Sequence, residues 1–112
     1  HMAKTNLLRT TPPLEVETAL QRLGANLKSA RLRRNLTVAQ VAEKIGTGPR
    51  AVADAEQGKP ATAIATYFAL LWAYDLLQQV DPLAAPGTDE IGHALADRRE
   101  RARPRRKLDN DF

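Results

Sequence analysis

The 112-residue chain has no cysteine, one serine (Ser29) and two histidines (His1 and His93). Without cysteine there is no disulfide framework, no thiolate zinc site and no cysteine nucleophile, and the composition suits a reducing cytoplasm. No apolar run approaches the roughly 18 residues of a membrane span. The N-terminus carries no charged-then-apolar leader pattern, and His1-Met2 reads as a cloning remnant ahead of the natural start. A catalytic triad needs a nucleophile, a base and an orienting group held together. Ser29 stands beside Lys28 inside a helical stretch, and His93, with Asp89 one turn before it and Glu90 and Asp97 nearby, reads as a helix-surface residue. Gly46-x-Gly48 lacks the preceding strand and the later glycine and Lys-Ser/Thr of a phosphate loop. No enzyme activity, metal or cofactor is expected.

What is present is globular. Hydrophobic residues make up 43% and charged residues 27% of the chain, enough apolar content for one folded domain and too short a length for two independent cores. The net charge of +4 conceals a segmental pattern. Residues 20–60 carry eight Lys and Arg against three Asp and Glu, a net +5, whereas residues 61–97 carry five acids and no Lys or Arg. Residues 98–107 then carry seven bases against Glu100, a net +6. Two basic regions flank an acidic one, as expected of a chain with an anionic partner.

Thr11-Pro12-Pro13 announces a first helix, with Glu15 and Glu17 near its positive end. Val16, Leu20, Leu23, Leu27 and Ala30 recur on one face of that helix, which is expected to run to about Arg34. Lys28, Arg31 and Arg34 form a basic stripe on another face, read either as solvated charge or as phosphate contacts. Thr37 and Gln40 make a capping box, stapled by Leu36 and Val41, for a second helix from Val38 to a stop at Gly46. Pro49, with Thr47 or Gly48 as cap, starts a third helix that buries Val52 and Ala55 and ends at Gly58. Thr62 is expected to cap a fourth helix with Ile64, Phe68 and Leu71 on one face and a break near Tyr74-Asp75. Trp72, Leu76, Leu77 and Val80 continue its apolar surface. Residues 81–88 read as a linker, after which Thr88 caps a last helix bearing Ile91, Ala94 and Leu95 that Pro104 ends. The expected organisation is an N-terminal stretch at 1–12, a domain at 13–80, and a linker, short helix and mobile Arg-rich tail at 81–112.

Counting from Val38 as the first position of a helix-turn-helix unit, Ala42 is fifth, Gly46 ninth, Val52 fifteenth and Ala55 eighteenth. Ala42 must be small where the two helices cross, Gly46 makes the turn, and Val52 and Ala55 bury the inner face of the second helix. Its outer face is then available to a DNA major groove.

From Leu36-Thr37 to Glu56-Gln57-Gly58 the chain resembles the lambda-repressor-like (Cro/C1, XRE-type) DNA-binding domains. Gly46-Thr47-Gly48-Pro49-Arg50-Ala51-Val52-Ala53-Asp54-Ala55-Glu56-Gln57-Gly58-Lys59 matches their turn, recognition helix and following loop. Leu71-Trp72-Ala73-Tyr74-Asp75-Leu76-Leu77, then Asp89-Glu90-Ile91-Gly92, the Arg-rich stretch and the terminal Asp-Phe are similar to HipB-type antitoxins of type II toxin-antitoxin systems, encoded beside HipA-type kinases. The resemblance implies an all-α, compact five-helix lambda-repressor-like domain, plus a C-terminal helix and basic tail. It implies base contacts from Gly48, Pro49, Arg50, Ala53 and Asp54, and phosphate contacts from Thr37, Thr47 and Lys59. Val38 departs from the family's usual Gln, and Asp54 would repel a nearby phosphate. Arg50 is the strong donor, able to pair bidentately with guanine.

The function implied is a repressor that binds operator DNA as a homodimer, autoregulates its operon and binds a HipA-like Ser/Thr kinase toxin. Its location would be cytoplasmic, with the nucleoid when bound to DNA. A phage-type or stress-response repressor without a toxin, and a protein-interaction adaptor without specific DNA binding, remain as alternatives. The tail bases Arg98, Arg99, Arg101, Arg103, Arg105, Arg106 and Lys107 either lie along phosphates or a minor groove, dock on an acidic partner, or are solvated. Phe68, Trp72, Leu76 and Leu77 form an expected dimer or partner surface, with Phe112 as an aromatic anchor or a frayed end.

Overall fold

A computed structural model of the chain describes residues 6–103; the end of the last helix at Pro104 and the tail residues Arg105, Arg106, Lys107 and Phe112 lie outside the described residues. Among the described residues all regular structure is helical: α1 (Leu7–Thr10), α2 (Leu14–Arg33), α3 (Val38–Ile45), α4 (Pro49–Glu56), α5 (Ile64–Ala73) and α6 (Glu90–Ala102), with 3₁₀ turns at Leu77–Val80 and Pro86–Thr88. The all-α expectation holds, and the one-turn α1 is an addition to it. The chain packs as two units, His1–Gln78 and Gln79–Phe112.

The core belongs to the first unit. Leu27 and Ala30 of α2, Val41 and Ala42 of α3, Val52 and Ala55 of α4, and Tyr67, Leu70, Leu71 and Ala73 of α5 are buried together with Tyr74. Helix α4 packs against α2, α3 and α5, so it is held on three sides. Full burial of one Leu or Val side chain is worth about 1.5–3 kcal/mol, a large share of the roughly 5–15 kcal/mol that separates folded from unfolded domains.

The expected inward face of α2 is realised only in its C-terminal half. Leu20 and Leu23 are half-buried, whereas Val16 is 40% exposed. The close approach between α2 and the end of α4 occurs at Gly24, where a Cβ would lie 2.5 Å from the Ala55 carbonyl oxygen and 2.6 Å from that of Glu56. Val16, two turns earlier, lies beyond that approach.

The α3 start matches its sequence signals. Thr37 Oγ1 accepts from the Gln40 amide at 3.1 Å, and Gln40 Oε1 accepts from the Thr37 amide at 2.9 Å. Gly46 closes the helix at φ +80°, in the left-handed region where a side chain is disfavoured, and the Thr47 amide donates to the Ala42 carbonyl at 2.9 Å. Pro49 opens α4 with Gly48 as its cap residue. Thr47 does not cap it.

Three other expectations are corrected. The cap residue of α5 is Ala63, with no side-chain hydrogen bond, so Thr62 does not cap it. Helix α5 turns Tyr67, Leu70 and Leu71 inward and leaves Ile64 68% exposed, so Ile64 and Phe68 do not share the buried face of Leu71. The uniformly apolar sequence of α5 carries no phase, and packing chose the face that brings the two tyrosines in. The break itself falls where expected, with Ala73 as the last helical residue and Asp75 at φ +60°. In the second unit Asp89, not Thr88, caps α6, its carboxylate accepting from the Gly92 amide at 2.9 Å.

Candidate nucleic-acid interface

Helix α4 has two sharply different sides. Val52 and Ala55 are fully buried, while Gly48, Pro49 and Arg50, at the N-terminal end, are exposed and Ala53 and Asp54 are half-buried. The turn through Gly46 aims this end of α4 outward from the first unit. Backbone amides of a helix start and a projecting arginine are thereby offered together, an arrangement suited to anions and to base edges.

Arg50 projects furthest, its side chain 84% exposed. Its Nε donates to Asp54 Oδ1 at 3.3 Å, and Lys59 Nζ approaches the same oxygen at 3.2 Å. The Lys59 amide also donates to the Asp54 carbonyl at 3.1 Å. The hydrogen bond from Lys59, then its charge and that of Arg50, hold the Asp54 carboxyl below the usual carboxylate range. Asp54 thus remains an anion between two cations expected to meet DNA.

The flanking residues divide. Thr37 is exposed, Val38 and Thr47 are half-buried, and Lys59 and Lys28 are exposed. The Thr37 hydroxyl oxygen accepts the α3 cap bond, and a hydroxyl that accepts keeps its own O–H to donate. Arg31 leaves the expected basic stripe altogether. It is buried, with Nε 2.7 Å from Glu56 Oε2, Nη2 3.0 Å from Glu56 Oε1, and Nη1 2.9 Å from the Leu36 carbonyl. Its hydrogen bond to Glu56 raises the guanidinium pKa above its ordinary value. A cation this buried, its charge already matched by Glu56, is withdrawn from the surface a phosphate would meet. Arg34 donates to the Ala30 and Tyr74 carbonyls at 3.0 and 2.9 Å and stacks 5.4 Å from the centre of the Tyr74 ring. It ties the end of α2 to the end of α5. Of the three stripe residues, Lys28 alone carries no such structural bond.

On α5, Ile64, Phe68 and Trp72 follow one another every four residues, so they share a face. Ile64 is 68% and Trp72 53% exposed, Phe68 is half-buried, and Leu76 and Leu77 beyond the helix end are half-buried. Lys44 Nζ of α3 lies 6.0 Å from the Trp72 ring centre. Ile64 is the member that the expected dimer or partner surface of Phe68, Trp72, Leu76 and Leu77 did not include.

The second unit holds Arg98, Arg99 and Arg101 exposed on α6, with Arg103 at its end bonded to Glu100 at 3.1 Å. A hollow of about 240 Å³ is lined by Pro86, Asp89, Gly92, His93 and Ala96. His93 Nε2 lies 2.6 Å from the Pro86 carbonyl oxygen, and Asp89 is engaged as the helix cap, so both polar groups serve the first turn of α6. Among the described residues no cluster of His, Cys, Asp and Glu is placed to hold a metal ion, and no helix is long and apolar enough to cross a membrane.

Residues 22–83, more than half of the chain, match the family model described as a helix-turn-helix domain. That span takes in most of α2 and all of α3, α4 and α5. Among curated proteins and among solved structures, nothing matches the chain.

Proposed function

The chain belongs to the helix-turn-helix domain family, and we propose that it is a sequence-specific transcriptional repressor that places the N-terminal end of α4 in the major groove of operator DNA. The observation that carries this reading is the division of α4: Val52 and Ala55 are wholly buried while Arg50 is 84% exposed at the helix start. In DNA-binding helix-turn-helix units the N-terminal residues of the second helix meet the base edges. Gly48, Pro49, Arg50 and Ala53 are the reading face in this account, with Asp54 bonded to Arg50 behind it and Thr37, Val38, Thr47, Lys59 and Lys28 along the phosphates. Arg31, buried against Glu56, drops out of the contact set, and Arg34 stays in it as an exposed cation at the end of α2.

Two copies reading successive major grooves would hold their α4 helices about 34–36 Å apart. The Ile64, Phe68 and Trp72 face of α5, with Leu76 and Leu77, is the surface we assign to that homodimer. The C-terminal similarity to HipB-type antitoxins supports a HipA-like Ser/Thr kinase toxin as protein partner and autoregulation as the biological role, in the cytoplasm. Identifying a kinase-like gene beside this one tests that part; a neighbour of another class leaves a repressor without a toxin. The Arg98–Lys107 bases are assigned to phosphates, and removal of residues 98–112 is expected to flatten the salt dependence of binding.

A second reading, an adaptor that keeps the fold without specific DNA binding, draws on the Asp54 carboxylate that already engages Arg50 and Lys59. Gel retardation with the DNA upstream of the protein's own gene, at two salt concentrations, separates the two. Specific retardation that is lost in Arg50→Ala is the expected result, and no retardation even at low salt contradicts the repressor.

A further inference from the structure

The Arg50–Asp54 pair is placed against the interests of its own helix. Arg50 is the second residue of α4, at the positive end of the helix dipole, and Asp54 is in the last turn, at the negative end. Each charge is therefore on the disfavoured side, and an i,i+4 pair with the base N-terminal to the acid is the weaker orientation. Helix stability does not account for the pair. Its geometry points elsewhere: the Asp54 side chain is 27% exposed and lies beneath an Arg50 side chain that is 84% exposed. Lys59, beyond the end of α4, fixes Asp54 through both its ammonium and its backbone amide. The carboxylate is thus anchored to the domain, and Arg50 is held by the carboxylate.

We propose that Asp54 is a specificity-determining positioning residue, which occupies Arg50 Nε and leaves the two terminal nitrogens of the guanidinium to read guanine end-on. The inference rests on the reading of α4 as the DNA-facing helix. A guanidinium has five N–H donors in a rigid fork, and guanine O6 and N7 accept two of them in parallel. Either the Nε edge or the Nη1/Nη2 end of the fork can supply that pair. Asp54 takes the Nε edge, so only the end remains, and an arginine already ordered loses less rotamer freedom on binding. The same carboxylate repels phosphates, which directs Arg50 away from the backbone and toward the bases. Asp54 touches no base in this scheme and acts through Arg50.

The test uses a randomised double-stranded DNA library, from which the full-length protein selects a duplex, and then compares that duplex with one carrying adenine in place of the Arg50-dependent guanine. Fluorescence anisotropy is expected to show a preference for guanine of about 10- to 100-fold in the natural protein. In Asp54→Ala the preference falls to within about threefold of none, as in Arg50→Ala, while binding to unselected duplex is unchanged or tighter. Asp54→Asn, which keeps an acceptor but no charge, retains a clear preference, and the double variant Arg50→Ala/Asp54→Ala loses no more than Arg50→Ala. Thermal midpoints serve as the folding control, with Asp54→Ser replacing the alanine variant if that one does not fold. Undiminished preference in Asp54→Ala, equal losses in Asp54→Asn and Asp54→Ala, or a further loss in the double variant each overturns the proposal. Binding by the natural protein without an Arg50-dependent guanine overturns it and leaves the DNA-binding reading standing, whereas no binding to any duplex overturns both.

Discussion

Arg31 and Glu56, 25 residues apart in sequence, meet as a two-pronged buried ion pair, Nε to Oε2 at 2.7 Å and Nη2 to Oε1 at 3.0 Å. Their side chains are only 9% and 7% exposed. With the third bond from Arg31 to the Leu36 carbonyl, one guanidinium fastens α2 to the end of α4 and to the loop that leads into α3. Helix α4 is thus held in place by a cation from the stripe that spacing alone left open between solvated charge and phosphate contact.

Removing one partner of such a pair leaves the other charge buried and uncompensated, which costs about 3 kcal/mol or more. Glu56→Ala is expected to lower the urea midpoint of unfolding by a large fraction of the domain's stability. The double variant Arg31→Met/Glu56→Leu, which removes both charges, should recover most of the loss. A Glu56→Ala variant as stable as the natural protein would show that the pair is ornamental to folding.

Glycine substitutions should rank by what their Cβ meets. At Gly46 a Cβ has open space within 4 Å, so alanine there pays only for φ +80°, about 1–2 kcal/mol. At Gly58 the backbone is also left-handed, at φ +69°, and a Cβ would run into the Leu20 carbonyl. Overpacking adds a further 1–3 kcal/mol or so. Gly58→Ala is therefore expected to destabilise more than Gly46→Ala in equilibrium unfolding. Equal losses would contradict the close α2 contact.

Both tyrosines of the chain, Tyr67 and Tyr74, are buried, and burial raises both phenol pKa values above 10. A phenol whose folded pKa exceeds its unfolded value of about 10 binds its proton more tightly in the folded state. The stability this contributes is complete below about pH 10 and is lost as pH rises from there through the folded values. Ultraviolet titration should show less tyrosinate at pH 10 in the folded protein than in the unfolded chain, which is about half ionised there. Half ionisation of the folded protein at pH 10 would contradict the burial of both rings.

If a second copy covers the α5 face, Trp72→Ala should convert dimer to monomer in sedimentation while the monomer keeps its helical circular dichroism. Unchanged sedimentation would move the dimer contact away from Trp72.

What could be read directly from sequence was local. The α3–turn–α4 unit is written in neighbouring residues: the Thr37 and Gln40 box, Gly46 at the stop, Pro49 at the restart, and small or branched residues at 42, 52 and 55. What could not be read was tertiary. Arg31 finds its partner 25 residues away and Arg34 its carbonyl 40 residues away, and nothing in an (i, i+3) stripe distinguishes a buried cation from a solvated one. The face of α5 was illegible because nearly every residue in it is apolar, so its rotation was set by the space left among α3 and α4. Thr88 and Asp89 are adjacent cap-type residues, and only geometry separates them. The Arg50–Asp54 contact was within reach, since the two stand four residues apart on a helix, but the role of Lys59 in anchoring it depends on the turn after α4.

The most direct test of the whole account is a ¹⁵N–¹H correlation titration of the protein with the DNA upstream of its gene. The account predicts that the largest amide shifts fall on Gly48 through Asp54 and on Thr37, Thr47 and Lys59, with Arg31 side-chain resonances unmoved. Shifts confined to α5 or α6, or no shifts at saturating DNA, would contradict it.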